Sequence, residues 1–189
     1  TFTVMESMAG VRGDDLLGNA DLAALVEREG AATLKTRYGQ QARPQLLAMP
    51  KAVTVALARA GVPILAGTDA GNAGTLYGIS MHRELAALVE AGLTPTAALA
   101  AATSAPAAAF RLGQRGCIAK GCKADLLLVE GDPTRDITAT RRIVEVWKDG
   151  QSANALRDAK RQQVAQERGA STRPGLPADG RISQFSATK

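Results

Sequence analysis

The chain has 189 residues, of which 46% are hydrophobic and only 3% aromatic, and its formal net charge is +5. This length and composition suit one folded domain with an aliphatic core and exclude a chain that is disordered throughout. Most of the excess positive charge lies in residues 151–189, without interleaved aromatic residues or a recognition motif, so no nucleic-acid partner is expected. No apolar run approaches the roughly 18 residues of a membrane span, so no membrane partner is expected.

The first 60 residues predict one strand and two helices. Residues 1–7 are apolar and β-rich, and they start with Thr, which leads us to expect a chain cut inside a fold. The cellular location is therefore left open. Residues 21–34 and 51–60 have the apolar spacing of amphipathic helices, and Gly61 is a plausible C-terminal stop for the second one.

A buried strand and a glycine-rich loop are predicted next. Residues 62–66 form a short continuous apolar run, which is typical of a parallel strand buried on both faces. The loop at residues 67–78 leads into a helix that Ser80 can cap and that Gly92 ends. Residues 94–95 then start another helix, with Thr as the N-cap and Pro in the first helical position.

The character of the sequence changes near residue 113. A last short helix is predicted before this point, followed by three short strands and a polar helix, at residues 107–112, 116–118, 124–129, 143–147 and 154–168. The whole pattern predicts an α/β fold. A parallel unit with right-handed crossovers would span residues 1–112, a small β-structure 113–150, and a helical or disordered basic tail or linker 151–189.

Asp69 is the candidate for chemistry because it lies just past the end of the predicted strand at residues 62–66. In parallel α/β barrels this end of the strand is where catalytic groups collect. Small neighbours leave Asp69 open to a metal ion or a substrate, while a carboxylate that caps the following segment is the structural alternative. A phosphate-binding loop at residues 71–75 is disfavoured because neither the Walker lysine nor G-x-G-x-x-G is present.

Several runs of sequence resemble imidazolonepropionase-like amidohydrolases, in the family's order and spacing. They span roughly residues 50–150 and comprise residues 61–71, 82–85, 90–95, 98–99, 101–103, 106–107, 116–121, 124–129 and 131–133. The resemblance implies the C-terminal part of a metal-binding (β/α)8 TIM barrel with a small composite β-sandwich. Residues 1–7 would be strand seven, 62–66 strand eight, and 113–150 the returning part of the sandwich.

The same resemblance implies that Asp69 binds a catalytic divalent metal, with zinc favoured, and shuttles a proton from the attacking water to the leaving nitrogen. The implied activity is hydrolysis of carbon–nitrogen bonds in small cyclic amides or dipeptide-like substrates. The family's other ligands include several histidines, whereas this chain has one histidine in total, so the 189 residues alone are expected to be inactive. The alternative is a non-catalytic structural or binding fragment of the same fold.

Three further residues are weaker candidates for substrate contacts. His82, near the start of a predicted helix, could approach substrate at the barrel mouth, or it could bond to the neighbouring loop. Glu6 and Ser7 end the predicted seventh strand and could face the same side. The oligomeric state stays open, including a homo-oligomer.

Two cysteines and two aspartates receive structural interpretations. Cys117 and Cys122 are too few for a structural zinc site, so we expect two free thiols, with a disulfide as the alternative if the chain is exported. By the resemblance Asp125 belongs to the sandwich, far from the metal, and Asp132 precedes a proline in a turn.

Overall fold

The structure is a computed structural model that describes residues 1–11 and 14–170. Its α-helices are α1 (Phe2–Met8), α2 (Ala20–Ala23), α3 (Arg28–Lys35), α4 (Ala48–Arg59), α5 (Ser80–Ala91), α6 (Pro95–Ala102), α7 (Ser104–Ala109) and α8 (Asn154–Ala170). Short 3-10 helices lie at Asp14–Gly18, Pro44–Leu47 and Ile137–Arg141, and the strands are β1 (Leu126–Val129), β2 (Ile143–Lys148) and β3 (Gln151–Ser152).

Helix α5 lies at the centre of the hydrophobic core. Its apolar residues recur at helical spacing, which places Leu85 and Leu88 on one buried face. This helix contacts α1, α4, α6 and the 3-10 helix Ile137–Arg141. The core cluster accordingly joins Phe2 of α1 and Ile137 to the buried residues of α5 and α6.

The ends of α5 follow the sequence signals in part. Gly92 takes the left-handed conformation with φ 118° and ends the helix, as predicted. Thr94 also caps α6 as predicted. The prediction of Ser80 as N-cap is wrong, because Ile79 holds that position and Ser80 is the first helical residue. The Ser80 hydroxyl instead accepts a hydrogen bond from the backbone N–H of Leu76 at 2.8 Å.

The prediction of a strand at residues 1–7 is wrong, because α1 occupies this segment. The N–H groups of Phe2 and Thr3, at the start of α1, both bond to the carboxylate of Glu84 at 2.9 Å. These N–H groups have no partner inside the helix, so an acceptor from α5 stabilises the helical start. A strand would need a neighbouring strand, and the described residues place none beside this segment.

Residues 62–66, also predicted as a strand, belong to no sheet. The N–H of Val62 bonds to the carbonyl of Leu57 at 3.0 Å, and that of Ala66 bonds to the carbonyl of Ala101 at 2.8 Å. The segment thus exchanges hydrogen bonds with helical residues of α4 and α6. A β-propensity pattern without a strand to pair with does not make a ladder.

The predicted helix at residues 21–34 is divided into α2 and α3. Asn19 caps α2 by accepting a hydrogen bond from the N–H of Leu22 at 3.0 Å. Between the two helices the chain turns so that Val26 is buried, and the extended residue Glu27 starts α3. The helices predicted at residues 51–60 and 107–112 exist as α4 and α7, with both starting three residues earlier.

The three strands form one antiparallel sheet in the order β1, β2, β3. Leu126 lies opposite Trp147, and a register shift follows Leu128. Residues 149–150 form the two-residue turn between β2 and β3, with φ angles of 49° and 80°. Asp-Gly is the typical sequence of this hairpin turn, in which both residues have positive φ. The strands predicted at 124–129 and 143–147 are confirmed, whereas residues 116–118 form none.

Cys117 and Cys122 form a disulfide, so the expectation of two free thiols is wrong. A turn, in which the N–H of Cys122 bonds to the carbonyl of Ala119 at 3.0 Å, brings the two Cα atoms to 6.1 Å. This separation lies within the range that a disulfide can span. The loop at residues 113–123 is therefore cross-linked rather than built as a strand.

Helix α8 confirms the polar helix predicted at residues 154–168, but this helix is not a free tail. Val164 is buried, and Lys160 forms an ion pair with Glu27. Arg168 donates a hydrogen bond to the carbonyl of Ala23 at 2.8 Å. The basic side chains of α8 thus pair with the segment around α2 and α3. The linker or disorder predicted for residues 171–189 lies outside the described residues.

The described residues contain helices and one small sheet, which agrees with the predicted α/β class. A barrel is not visible among these residues. Parallel strands of a (β/α)8 barrel are not found among residues 1–11 and 14–170. Within the same residues no helix is both long and apolar enough to span a membrane.

Candidate functional site

Asp69 lies in the loop between the apolar segment 62–66 and α5. Its φ of 50° is in the left-handed region, which is uncommon for residues other than glycine, although Asp and Asn enter it more readily than most. The side chain is exposed, and no described residue forms a hydrogen bond or an ion pair with its carboxylate. The carboxylate is therefore free to bind a group that this part of the chain does not contain.

The loop that follows Asp69 is held by its own side chains. Asn72 donates from Nδ2 to the Asp69 carbonyl at 2.8 Å, and the buried Thr75 hydroxyl lies 3.2 Å from the same oxygen. The Thr75 hydroxyl also accepts from the N–H of Asn72 at 3.1 Å. Tyr38 donates from its hydroxyl to Oδ1 of Asn72 at 2.8 Å. The backbone N–H groups of Asn72, Gly74 and Thr75, which a phosphate loop would need open, are therefore already bonded to protein oxygens.

A second network holds the residue before Asp69. The Thr3 hydroxyl lies 3.1 Å from the Thr68 carbonyl and 3.1 Å from Oε2 of Glu84. Glu84 is 2% exposed and also accepts both N–H groups at the start of α1. The Thr68 carbonyl is thus held by Thr3 from α1, and the Asp69 carbonyl is held by Asn72 from the loop that follows it. No local sequence signal indicates this role of Glu84, because its partners in α1 lie more than 80 positions away.

Glu6 and Ser7, predicted to face the substrate side, are both buried with partners. Arg83 forms a bidentate ion pair with Glu6, with Nε 3.0 Å from Oε2, and it also pairs with Glu90. Burial raises the pKa of Glu6, and the Arg83 guanidinium partly offsets this effect. The Ser7 hydroxyl accepts the N–H of Tyr38 at 3.2 Å. Their observed role is to connect α1 with α5 and with the loop at residues 36–43.

His82 lies in the first turn of α5 and points toward the sheet region. Its Nδ1 is 3.1 Å from the hydroxyl of Thr140. Burial, with a smaller contribution from the positive charge of Arg141, lowers the pKa of His82 to about 4. The imidazole is therefore neutral at pH 7. The predicted contact with substrate stays a prediction.

Asp125 and Asp132 have the structural surroundings that the sequence suggested. Asp125 accepts hydrogen bonds from the Lys148 ammonium at 2.7 Å and from the Asp149 N–H at 2.9 Å, which lowers its pKa to about 2. Asp132 accepts the N–H of Thr134 at 2.9 Å in a turn. Both carboxylates stabilise the sheet region.

Asp69 is the candidate metal ligand in this part of the chain. Among the described residues, no three His, Cys, Asp or Glu side chains lie close enough together to hold a metal ion. Asp69 fits the role of a single carboxylate ligand because it is exposed and has no partner among these residues. A complete metal site needs further ligands from elsewhere.

The comparisons with known sequences identify a family. The sequence model of the amidohydrolase family matches residues 41–157, which is more than half of the chain. An imidazolonepropionase from Deinococcus deserti is 33% identical over 137 residues, which cover 70% of this chain and 33% of that protein. The chain thus spans about a third of the length of this curated relative.

Two solved structures share part of the fold. A crystal structure of an amidohydrolase is 23% identical with a TM-score of 0.50, and the match covers 75% of this chain and 37% of that one. The crystal structure of a Xaa-Pro dipeptidase with bound methionine in the active site is 24% identical with a TM-score of 0.50, and the match covers 74% and 32%. These identities support the architecture alone. On the match of the family model over residues 41–157, the chain belongs to the amidohydrolase family.

Proposed function

We propose that the complete protein is a metal-dependent hydrolase of carbon–nitrogen bonds in small cyclic amides or dipeptide-like substrates. Asp69 would be one metal ligand and the proton shuttle. The observation that carries the proposal is the exposed, unpartnered Asp69 carboxylate in a loop whose neighbouring carbonyls are both held by side chains. Membership of the amidohydrolase family supports the same assignment.

The chemistry of Asp69 follows from its exposure and its fixed backbone. A divalent ion, with zinc as the first candidate, would polarise the amide carbonyl and lower the pKa of water. The Asp69 carboxylate would accept a proton from the attacking water and pass it to the leaving nitrogen. The bonds from Thr3 and Asn72 to the carbonyls of Thr68 and Asp69 would hold the backbone that carries this carboxylate during both transfers.

The proposed organisation assigns residues 1–112 to the barrel and 113–150 to the returning part of the β-sandwich. The histidine ligands would come from outside these segments, since His82 is the single histidine of the chain. The 189 residues alone would then lack activity. His82 remains a secondary candidate for a substrate contact.

The test is hydrolysis by the product of the complete gene, loaded with zinc and offered dipeptides, N-acyl amino acids and cyclic imides. We expect Asp69→Asn to lower kcat by roughly 100- to 10,000-fold, because the amide cannot take up the proton. Asparagine tolerates the left-handed conformation at this position, so the fold should persist.

Asp149→Asn is the matched control, since Asp149 also has a positive φ, of 49°, but lies in the turn between β2 and β3. This variant should retain activity. Equal activity of the wild type and Asp69→Asn would refute the assigned role of Asp69.

A non-catalytic structural or binding module is the second candidate. The observation in its favour is the lack of any three metal-ligating side chains close together among the described residues. It predicts that the product of the complete gene binds no divalent metal, as measured by elemental analysis, and hydrolyses none of the substrates. Stoichiometric metal in the wild type and less metal in Asp69→Asn would exclude it.

A further inference from the structure

A cavity of about 350 Å³ lies between the helical region and the sheet. Asp69 is not among the residues that line it. Its walls combine aliphatic side chains with the phenol of Tyr77 and one imidazole, and they include Leu25 and Val26 after α2, Ile79 before α5, His82, and Leu127 and Ile143 of the sheet. The cavity is thus a concave surface that the proposed catalytic carboxylate does not line.

The hydrogen bonds around His82 define which ring nitrogen is available. Thr140 has a single hydroxyl proton, and its oxygen lies 2.8 Å from the Ile137 carbonyl but 3.1 Å from Nδ1 of His82. We assign the Thr140 hydroxyl proton to the shorter contact, with Ile137, so that Thr140 accepts from Nδ1–H. The other ring nitrogen, Nε2, is then an acceptor with a free lone pair.

Nε2 has no partner among the described residues. Because the ring is neutral at pH 7, it does not attract an anion to the cavity by charge. Nε2 is thus the polar group that the His82 ring can offer to a molecule in the cavity.

We propose that this cavity binds a small apolar molecule that donates one hydrogen bond, with Nε2 of His82 as the acceptor. The aliphatic walls favour a ligand whose main part is an uncharged hydrocarbon or aromatic group. The unpartnered acceptor accounts for the single N–H or O–H group, since a ligand without a donor would leave Nε2 desolvated and unpaired.

The proposal depends neither on the role of Asp69 nor on any metal, and it concerns the same His82 that is the secondary candidate for a substrate contact. Its readout is equilibrium binding of a probe, so a negative result would leave the assignment of Asp69 unaffected. Conversely, loss of activity in Asp69→Asn would not support this cavity.

Two probes of similar shape separate the claims about the cavity and about Nε2. Indole has an apolar body and one N–H donor, whereas benzothiophene has a similar body and no donor. In ligand-observed NMR titrations of the product of the complete gene at pH 7, we expect indole to bind about tenfold more tightly than benzothiophene. Equal affinities would overturn the role of Nε2, and binding of neither probe would overturn the site.

Variants then locate the site. His82→Phe should keep an aromatic side chain in the cavity wall and abolish the preference, so that indole and benzothiophene bind with about equal affinity. Ile143→Trp should fill the cavity and abolish binding of both probes. Val144→Trp is the matched control, because the neighbouring Val144 does not line the cavity and is 46% exposed.

Circular dichroism and the melting temperature of each variant identify a protein that has not folded. Unchanged indole binding in a folded Ile143→Trp variant would contradict the proposed location. A preference for indole that persists in a folded His82→Phe variant would contradict the proposed acceptor.

Discussion

Helices α4 and α5 both have 12 residues, yet they lie in contrasting surroundings. Six residues of α5 are buried, whereas none of α4 is buried. On α4 the side chains of Met49, Val53 and Leu57 are 76%, 50% and 42% exposed. Apolar exposure of this kind on one helix marks a surface that another part of a protein covers.

The difference shows which helix buries its apolar side chains within these 189 residues. Helix α5 is surrounded by α1, α4, α6 and a 3-10 helix, and its Glu84 supports the segment that leads to Asp69. Helix α4 and the following residues 62–66 instead present an apolar surface. On the proposed function, further strands of a barrel would cover this surface in a longer polypeptide.

The largest expected effect compares the same substitution on the two helices. Leu88→Ala removes a side chain that is 2% exposed, and the resulting cavity should lower the free energy of unfolding of the 189-residue chain by about 3 to 4 kcal/mol. Leu57→Ala changes a side chain that is 42% exposed and should lower it by less than about 1 kcal/mol. Urea unfolding measures both values.

In the complete protein the cost of Leu57→Ala should rise toward that of Leu88→Ala, because the added strands would bury Leu57. If Leu57→Ala lowers the free energy of unfolding as little in the complete protein as in the 189-residue chain, the contrast between α4 and α5 would not hold. Such a result would show that the exposed face of α4 is a true surface.

The next effect concerns the contribution of His82 to the pH dependence of the free energy of unfolding. Its pKa is about 4 in the folded chain and 6.5 in the unfolded chain, so the unfolded chain binds more protons between these values. The free energy of unfolding should therefore decrease as the pH falls from 6.5 to 4, by about 2 to 3 kcal/mol from this group.

His82→Asn removes the titrating group and keeps an N–H donor at the position of Nδ1 for Thr140. Urea unfolding at pH 7 and at pH 4.5 should show a smaller pH dependence in this variant than in the wild type. Identical pH dependence would mean that His82 is not desolvated, and α5 would be less well covered at its first turn than the structure shows.

The smallest effect concerns the link between α1 and the residue before Asp69. Thr3→Val keeps the shape of a buried side chain but removes the hydroxyl that bonds to Thr68 and Glu84, which should cost about 1 to 2 kcal/mol. Thr103→Val removes an exposed hydroxyl bond within α6 and the following turn and should cost less than about 0.5 kcal/mol. Thermal unfolding distinguishes the two variants. Equal costs would contradict the proposal that Thr3 links α1 to the residue before Asp69.

Local signals predicted the parts of the fold that depend on a few adjacent residues. Gly92 ends α5 and Thr94 caps α6 because the left-handed conformation and the capping bond are set within one turn. The Asp-Gly turn at residues 149–150 also has a local origin, although it was not predicted. Asp69 could be located because an acidic residue after an apolar run is visible in the sequence, whereas the exposure of its carboxylate required the structure.

Long-range contacts account for what the sequence did not predict. Residues 1–7 have β-propensity, but the Glu84 carboxylate, more than 80 positions away, caps a helix there. The bond from Thr3 to the Thr68 carbonyl, next to Asp69, likewise joins two residues that are 65 positions apart. The choice between free thiols and a disulfide depended on the turn at residues 119–122, which brings Cys117 and Cys122 together.

The most direct measurement is native mass spectrometry, with elemental analysis, of the polypeptide purified from its natural source. The account predicts a polypeptide longer than 189 residues that carries a divalent metal, and a metal content that falls in the Asp69→Asn variant. A metal-free, monodisperse monomer of 189 residues would contradict it, because this chain would then leave α4 exposed and provide Asp69 without the other ligands.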